Sequence, residues 1–495
     1  MLPQVRQLSF PGVRLLQRSR SSALQFLFLL VIVVAAIVLF YRLGVPALKN
    51  WDEAIYAEVA KEMLQSRDWL TLHWQHMDWF EKPPLTFWIM SGLFSVFGVN
   101  ECSARAVSAL AGVGVVAVVY AIGRLQRGPV CGLIASLILL TTFQFVQMSR
   151  LVNTDVLLVF FIYLAIFGYL RVRDGDRRWW YVVSASCALG FMVKSFASLF
   201  APAAILFALI FDRQLSETLK AKQFWFSILL GLAIVLPWHA AMIYRHGLAF
   251  VNEYFYYHVW SRTTTTLEGH RGPYSFYFRE IWEKSHPWWS VAPFAVVFNV
   301  WQIKRGRSSV VVLALSLLVF AFYTAAQTKL PSYILPVYPA LALLIADLFT
   351  WFWERRRVAI RVAVVLVCVW FAYEGIGKIR SYYVRIEQED ETVKELAHLA
   401  AAPGSPPVLI VYSRTGEFDP QSALFYSSKR VLQATGGAGY SSNIYHNNKP
   451  LAEVVSEQLS GIILAKDAVE PLLADYTIEI KGQSHDMVYA TIRKK

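Results

Sequence analysis

The sequence predicts an α-helical polytopic membrane protein. Hydrophobic residues make up 56% of the 495 residues and charged residues only 16%, whereas a soluble enzyme of this size carries about a quarter charged residues. Apolar runs of roughly 17–25 residues recur along the chain, which is the length that crosses a bilayer as a helix. These runs do not alternate apolar with polar residues, so helices are predicted rather than a transmembrane barrel.

The positions of arginine and lysine predict the topology. We expect about 11–13 transmembrane helices and place 84–99 in the membrane interface, because every short basic loop then falls on the cytoplasmic side. The N-terminus is predicted to be cytoplasmic. The competing interpretation, a signal peptide, is disfavoured because the first apolar run is too long. Eleven spans satisfy the loop charges: 23–41, 103–123, 129–148, 156–170, 179–193, 196–211, 224–242, 288–302, 309–326, 334–353 and 358–375.

Composition divides the chain into two domains. Residues 1–378 form the transmembrane domain, with a first outer loop at 42–102 and a long outer loop at 244–286. Residues 379–495 carry four short β-like runs between helix-like stretches, which predicts a small soluble α/β domain on the outer side.

The remaining global features exclude several classes of function. The net charge of +13 arises from short loops between spans, so it indicates membrane topology and no nucleic-acid partner. The four cysteines show neither metal-ligand spacing nor a disulfide framework. There is no P-loop and no dinucleotide fingerprint, so we predict no nucleotide cofactor.

The first outer loop is the most unusual stretch. Residues 50–84 contain seven acids, two histidines and a terminal Glu-Lys-Pro-Pro, and apolar residues at helical spacing predict a short helix at 52–66. Other polar residues occur at the outer ends of distant spans, where ionisable groups are costly and mark functional sites. Together they predict one cavity at the outer face, formed by Asp52, Glu53, Glu81, Lys82, Arg105, Asn153, Asp155, Lys194, His258, Arg262, Glu268, His270, Lys329 and Tyr333.

Several of these residues have a purely structural alternative. Asp52 and Asp155 each begin a predicted helix and could act only as caps. Lys82 could extend to the membrane surface, and Tyr333 could belong to an aromatic belt. Lys194 lies inside the apolar run CALGFMVKSFASLF, where a cation needs a partner, so we expect it to be functional.

Cations and carboxylates beside lipid indicate a charged, lipid-linked substrate. A leaving phosphate needs cations that stabilise its charge, and sugar transfer needs a base unless the acceptor is already anionic. A sugar on a polyprenyl phosphate supplies the tail, the leaving group and the anomeric carbon. A transporter or flippase of lipid-linked glycans is an alternative from another class, but it would carry polar residues through the bilayer midplane. A third possibility is a binding or scaffold protein whose outer tail carries the function.

Two segments of the first outer loop, DEAIYAEVAKEMLQSRDWL and WFEKPPLTFWI, resemble those of bacterial GT-C membrane glycosyltransferases. This group contains the lipid A aminoarabinose transferases and protein O-mannosyltransferase-like proteins. NTDVLL, FMVKSF and TKLPSYILPVYPALA match its later motifs in order, and the resemblance covers about residues 1–375. It implies inverting sugar transfer from a polyprenyl-phosphate donor to a lipid A, glycolipid or glycan acceptor at the periplasmic face of the inner membrane, among membrane lipids. Transfer to protein hydroxyls is the alternative.

The resemblance also implies roles for individual residues. Asp52 would be the principal acid near the acceptor, and Asp155 the acid of the second outer loop. The implied donor-phosphate site contains Lys82, Lys194, Arg105 and Tyr333. A divalent metal (Zn, Mg or Mn) would be bound by a carboxylate and one of two histidines, the candidates being Glu81, His258 and His270. The His- and Trp-rich segment HWQHMDW and a shorter tail depart from the group's pattern.

Overall fold

The computed structural model describes residues 11–261, 271–303, 310–355, 357–387, 391–413, 421–435, 449–455 and 458–495. Its first part is helical. The helices are α1 Pro11–Phe40, α2 Asp52–Ser66, α3 Leu85–Phe97, α4 Glu101–Arg127, α5 Pro129–Leu140, α6 Phe143–Met148, α7 Asp155–Arg173, α8 Trp179–Lys194, α9 Phe200–Phe211, α10 Leu215–Lys220, α11 Lys222–Phe250, α12 Phe276–Ser285, α13 Ala292–Ile303, α14 Val310–Ala325, α15 Val337–Trp353 and α16 Val358–Glu387. Short 3-10 turns lie at Ser195–Leu199, Trp288–Val291 and Pro331–Ile334, and a π-helix, Val251–Ser261, continues α11.

The predicted spans coincide with these helices. Each of the eleven spans overlaps one helix or two consecutive helices, and α2 and α3 lie where a short helix and an interfacial helix were expected. Among the described residues, six helical stretches are long and apolar enough to cross a membrane: Glu101–Arg127, Asp155–Arg173, Trp179–Phe211, Lys222–Tyr257, Pro331–Trp353 and Val358–Ile386. Others, including Pro129–Leu140 and Val310–Ala325, are apolar but shorter, so the number of crossings stays a prediction.

The C-terminal part is a mixed α/β domain, as predicted. The first two strands, β1 His73–Trp74 and β2 Met77–Asp78, are two residues long and form a hairpin in the first loop. The domain itself contains β3 Val408–Ser413, β4 Arg430–Thr435, β5 Lys449–Pro450, β6 Ser460–Ala465, β7 Tyr476–Ser484 and β8 Met487–Lys494, with helices α17 Thr392–Ala400, α18 Gln421–Ser427, α19 Leu451–Val454 and α20 Val469–Leu472. The strand order is β5-β4-β3-β6-β8-β7. Strand β3 pairs in parallel with β4 and β6, and β8 pairs antiparallel with β6 and β7.

The C-terminal domain packs directly on the first loop. Helix α16 continues to Glu387, past the predicted boundary at 378, and one apolar cluster extends from the membrane-type helices into this domain. Lys61 Nζ of α2 donates to the Phe425 carbonyl of α18 over 2.8 Å, and Lys394 lies 2.7 Å from Glu101. The first loop and the C-terminal domain therefore form one end of the molecule, called the loop face below.

Glu58 lies buried at this junction, 4% exposed, and its carboxylate is 2.9 Å from Lys61 Nζ. Burial disfavours the charged carboxylate more than Lys61 favours it, which raises the pKa of Glu58 from 4.5 to about 7. The folded state therefore keeps this proton at pH values where the unfolded chain has lost it. Stability from this group falls as the pH rises from about 4.5 to about 7.

Glu58→Gln should flatten the pH dependence of stability over this range. We expect its unfolding temperature to change less between pH 4.5 and 7.5 than that of the unmodified protein, as measured by differential scanning fluorimetry in detergent. Glu217→Gln is the control, because Glu217 is an exposed acid that pairs with Lys220. Parallel curves for the Glu58 variant and the unmodified protein would contradict the assignment.

Candidate active site

A cavity of about 470 Å³ lies beside the turn that follows α8. One end is polar and contains four of the residues singled out in the sequence, namely Glu81, Lys82, Lys194 and Tyr333. The other end is apolar and is lined by Phe196, Leu199, Phe200, Ala203, Leu318 and Phe322. Four of these apolar side chains are 37–46% exposed, so this end opens sideways onto the apolar surface of the helices. The cavity therefore suits a molecule with an anionic head and a long apolar tail.

The position of Lys194 follows from a reversal of the chain. Ser195 has φ 44° and ψ −127°, which ends α8. The 3-10 turn Ser195–Leu199 then folds back on α8, since a Cβ placed on Gly190 would lie 3.2 Å from that of Ser198. Lys194 is consequently the last residue of α8, directly before this turn, and it lines the cavity. This placement explains how a cation is tolerated in an otherwise apolar run.

Lys194 forms an ion pair with Asp155. Its Nζ lies 2.6 Å from Asp155 Oδ1, and the two side chains are 17% and 11% exposed. The Tyr333 ring centroid is 5.0 Å from the same ammonium. Helix α7 is capped by Asn153, whose side-chain oxygen accepts a hydrogen bond from the Val156 N–H over 3.1 Å. The cap role considered for Asp155 is thus filled by a neighbour, and its carboxylate faces Lys194.

Asp52 is the first residue of α2 and is exposed. It interacts electrostatically with Lys194, so this acid lies on the Lys194 side of the first loop, although it is not one of the residues that line the cavity. The preceding residue, Trp51, has φ 69° and ψ −132°, a backbone conformation that costs a bulky residue on the order of 1–3 kcal/mol. Such strain is retained only where the surrounding structure imposes it.

The C-terminal domain supplies contacts that impose this conformation. Ser422 N–H of α18 donates to Asn50 Oδ1 over 2.9 Å. Leu48 N–H donates to the Tyr426 hydroxyl over 2.7 Å, and that hydroxyl donates to Glu101 over 3.0 Å. The segment immediately before Asp52 is therefore tied to α18.

Lys82 is buried in the cavity wall, 8% exposed, and its ammonium is 3.5 Å from Glu81 Oε2. The alternative in which Lys82 extends to the membrane surface does not match this placement. Pro83 and Pro84 follow directly, and α3 begins at Leu85. Because both prolines restrict the backbone, they hold the Glu81-Lys82 pair at the start of α3.

The structure corrects the role given to Arg105. The guanidinium is 1% exposed and lies outside the cavity. Two of its N–H groups donate to Glu53 at 2.9 and 3.0 Å, and three contacts reach the carbonyls of Leu43, Pro46 and Ala47. All five N–H donors of an arginine are thereby used, which leaves none for a donor phosphate. Arg105 is a structural cation that anchors the chain before α2.

The predicted metal site is only partly described. Glu81 lies in the cavity wall, whereas the side chain of His258 and the whole of His270 lie outside the described residues. Within the described part of the chain, no group of three His, Cys, Asp or Glu side chains could hold a metal ion. A divalent metal at Glu81 therefore stays a prediction.

Three polar groups at or beside the cavity are not predicted from the sequence: Ser195, Tyr254 and His239. Ser195 Oγ donates to the Tyr254 hydroxyl over 2.7 Å, and that hydroxyl lies 3.2 Å from His239 Nε2. His239 is not predicted because it lies within the apolar run of 224–242, whereas the predicted site residues lie at the outer ends of spans. A histidine inside a membrane-type helix is itself an available signal.

The unusual segment HWQHMDW is the β1-β2 hairpin. Asp78 lies 3.3 Å from His73 Nε2 and 3.3 Å from His246 Nδ1 of α11. Arg245 adds an ion pair to Asp68 at 3.0 Å. Partial burial alone would raise the pKa of Asp68, but two backbone N–H donors and then the Arg245 cation outweigh it and keep this pKa below its usual value. These contacts hold the first loop against α11.

Comparison with solved structures identifies the class of fold. The crystal structure of ArnT from Cupriavidus metallidurans bound to undecaprenyl phosphate matches with a TM-score of 0.76 and 18% identity, over 94% of this chain and 97% of that chain. The archaeal oligosaccharyltransferase AglB from Archaeoglobus fulgidus matches with a TM-score of 0.53 and 13% identity, over 82% and 64%. The fold is that of the GT-C membrane glycosyltransferases, a multi-pass class.

Sequence comparison then identifies the family. Residues 81–240 match the model of the dolichyl-phosphate-mannose-protein mannosyltransferases. An undecaprenyl phosphate-alpha-4-amino-4-deoxy-L-arabinose arabinosyl transferase of Pseudomonas savastanoi pv. phaseolicola is 30% identical over 380 residues, which is 72% of this chain and 67% of that protein. The chain belongs to the family of these arabinosyl transferases. An uncharacterized protein of Aquifex aeolicus is 30% identical over 65% of this chain and 63% of its own length. The matches span 54–67% of the length of such relatives.

Proposed function

We propose that the protein is an inverting glycosyltransferase that uses a polyprenyl-phosphate-linked sugar. The acceptor is lipid A, another glycolipid or a glycan. The observation that carries the proposal is the cavity itself, in which the Lys194–Asp155 pair and Lys82 lie next to an apolar side open to the membrane. A lipid phosphate needs both a cationic site for its phosphate and an apolar site for its tail.

The two lysines are suited to the donor phosphate. When the bond between the anomeric carbon and the phosphate oxygen breaks, negative charge develops on the phosphate. Lys82 and Lys194 lie in a partly buried wall, where a fixed cation stabilises that charge more strongly than in water. The polyprenyl chain would lie along the apolar side, between the turn after α8 and α14.

The acids are suited to the acceptor side. The acceptor oxygen attacks the anomeric carbon as the bond to phosphate breaks, and the bonding electron pair leaves with the polyprenyl phosphate. A single displacement inverts the anomeric centre. Asp52 would orient the acceptor, and it would take the proton of an acceptor hydroxyl; an anionic phosphate acceptor needs no base. Asp155 orients Lys194 and lowers the cost of its burial.

The cellular placement is part of the proposal. The basic short segments at 124–128, 171–178 and 354–355 lie at the end of the helices opposite the loop face. The positive-inside rule then places the loop face and the C-terminal domain in the periplasm, with the N-terminus in the cytoplasm and the chain in the inner membrane.

A divalent metal would use Glu81. A carboxylate is a donor that Zn, Mg and Mn all accept, and a cation there would add to the charge that holds the phosphate. The described residues supply this one ligand, so no step of the reaction is assigned to a metal.

A transferase acting on protein hydroxyls is the second candidate. The matching family model, whose description is a dolichyl-phosphate-mannose-protein mannosyltransferase, favours it. That reaction requires Asp52 as a base, because a hydroxyl acceptor must lose its proton. Incubation of the protein with labelled donor and either lipid A or a serine-rich peptide separates the two.

Asp52→Asn should reduce transfer at least tenfold while the protein stays folded. The assay is release of undecaprenyl phosphate, together with transfer of labelled sugar to lipid A, by protein purified in detergent. Glu217→Gln, which changes an exposed acid at the opposite end, should keep full activity. Absence of transfer from any polyprenyl-phosphate sugar by the unmodified protein would overturn the function. An Asp52→Asn rate equal to the unmodified rate would overturn only the role of Asp52.

A further inference from the structure

A second groove lies on the loop face, between α12 and the last turns of α16. Its volume is about 510 Å³. Six charged residues line it: Lys284, Lys378, Arg380, Arg385, Glu283 and Glu374. Four cations against two acids give this groove an excess of two positive charges. It is separate from the cavity at Lys194, with which it shares no lining residue.

Two of the four cations are held in place by the fold. Lys378 Nζ donates to the Glu283 carbonyl near the C-terminal end of α12 over 2.9 Å. Lys284 Nζ lies 5.5 Å from the ring centroid of Phe143, and both lysines are only partly exposed. Arg380 is exposed at the rim. Cations ordered around a groove bind a phosphate at lower entropic cost than mobile surface lysines do.

The surroundings of the groove are apolar and exposed. Tyr373 is 73% exposed, Ile376 53% and Trp282 50%. Aromatic and aliphatic side chains next to cations are typical of the level at which lipid headgroups meet the hydrocarbon. A free phosphate in solution would gain no binding energy from these apolar side chains. A lipid would contact both the cations and the apolar side chains.

Helix α12 connects this groove to the first cavity. Near its start, the Tyr277 hydroxyl donates to the Leu330 carbonyl over 3.2 Å, three residues before Tyr333 of the cavity. Lys284 is seven residues further along the helix, which corresponds to roughly 10 Å at about 1.5 Å per residue. A headgroup bound at Lys284 and Arg380 would therefore lie near the end of α12 opposite the one that contacts the segment preceding Tyr333.

We propose that this groove binds an anionic phosphate of the acceptor glycolipid and so presents a second part of its headgroup to the donor. The inference rests on the proposed transferase function. It commits to a phosphorylated glycolipid as the occupant, and not to the donor, whose phosphate is placed at Lys82 and Lys194.

The test is a comparison of acceptor and donor kinetics in the double variant Lys284→Gln/Arg380→Gln. We expect the KM for lipid A to rise about fivefold or more, while kcat and the KM for the undecaprenyl-phosphate sugar stay within twofold. The charge-keeping variant Lys284→Arg/Arg380→Lys should restore the acceptor KM. Lys220→Gln, which removes an exposed cation at the opposite end, is the matched control and should change nothing.

Binding measurements separate the sources of phosphate. Native mass spectrometry with lipid A, phosphatidylglycerol or inorganic phosphate should show retention of lipid A that is weakened in the double variant. Equal retention of phosphatidylglycerol would overturn the acceptor assignment, as would an unchanged KM for lipid A. If the unmodified protein transfers no sugar, the proposed function fails as a whole, which differs from transfer with an unaltered KM in the variant.

Discussion

Lys194→Met should reduce sugar transfer by about 10²–10³-fold while the protein stays folded, the size expected when one preorganised charge is removed from a developing anion. Methionine keeps the length and apolar character of the stem. The loss should appear in kcat and in donor affinity, because the proposed reaction places this ammonium at the leaving phosphate. Steady-state release of undecaprenyl phosphate at varied donor concentration measures both.

A double variant separates catalysis from structure. Lys194→Met leaves Asp155, 8% exposed, without its ion-pair partner at 2.6 Å, and the unpaired carboxylate could itself disturb the site. Lys194→Met/Asp155→Asn removes that charge. If phosphate stabilisation is lost, the double variant stays inactive, whereas recovery of activity would show that Lys194 only neutralises Asp155. Lys194→Arg should retain part of the activity, and Lys220→Met is the control.

Arg105→Met should destabilise the protein by about 3–5 kcal/mol, the cost of removing one partner from a buried ion pair. Glu53, 4% exposed, would keep its charge without the two guanidinium bonds, and three carbonyls would lose a donor. The measurements are the yield of monodisperse protein and its unfolding temperature. Arg171→Gln, in an exposed pair with Asp174, should change stability by less than about 1 kcal/mol.

The companion variant is Arg105→Met/Glu53→Gln. Without a buried charge, it should recover part of the lost unfolding temperature, although the carbonyls of the preceding segment remain without a donor. If Arg105→Met instead folds as well as the unmodified protein and loses only donor binding, the phosphate-binding role would have to be restored.

The spans and α2 could be predicted because their signals are local. An apolar run or a helical spacing of apolar residues is complete within one segment. Part of the site could also be predicted, because ionisable and aromatic residues at the ends of apolar runs are unusual. The residues predicted in this way are Glu81, Lys82, Lys194 and Tyr333.

The error with Arg105 has a physical cause. Asp52 and Glu53 are adjacent acids, but one residue turns a helix by about 100°, so Asp52 faces the cavity end and Glu53 faces the interior. Sequence alone does not say which acid a distant arginine will meet. Two other features are not predicted from the sequence for the same reason. The packing of α18 against the first loop and the formation of strand β4 both depend on long-range contacts, which carry no local signal.

The hydrogen bonds from α18 to the segment before Asp52 impose an order on biosynthesis. Leu48 and Tyr426 are separated by 378 positions along the chain, so the loop can reach its final conformation only after residues 421–427 have been synthesised and folded. During insertion into the membrane, the cavity would form while its principal acid is still unfixed. The site would then be complete only when the C-terminal domain docks on the first loop.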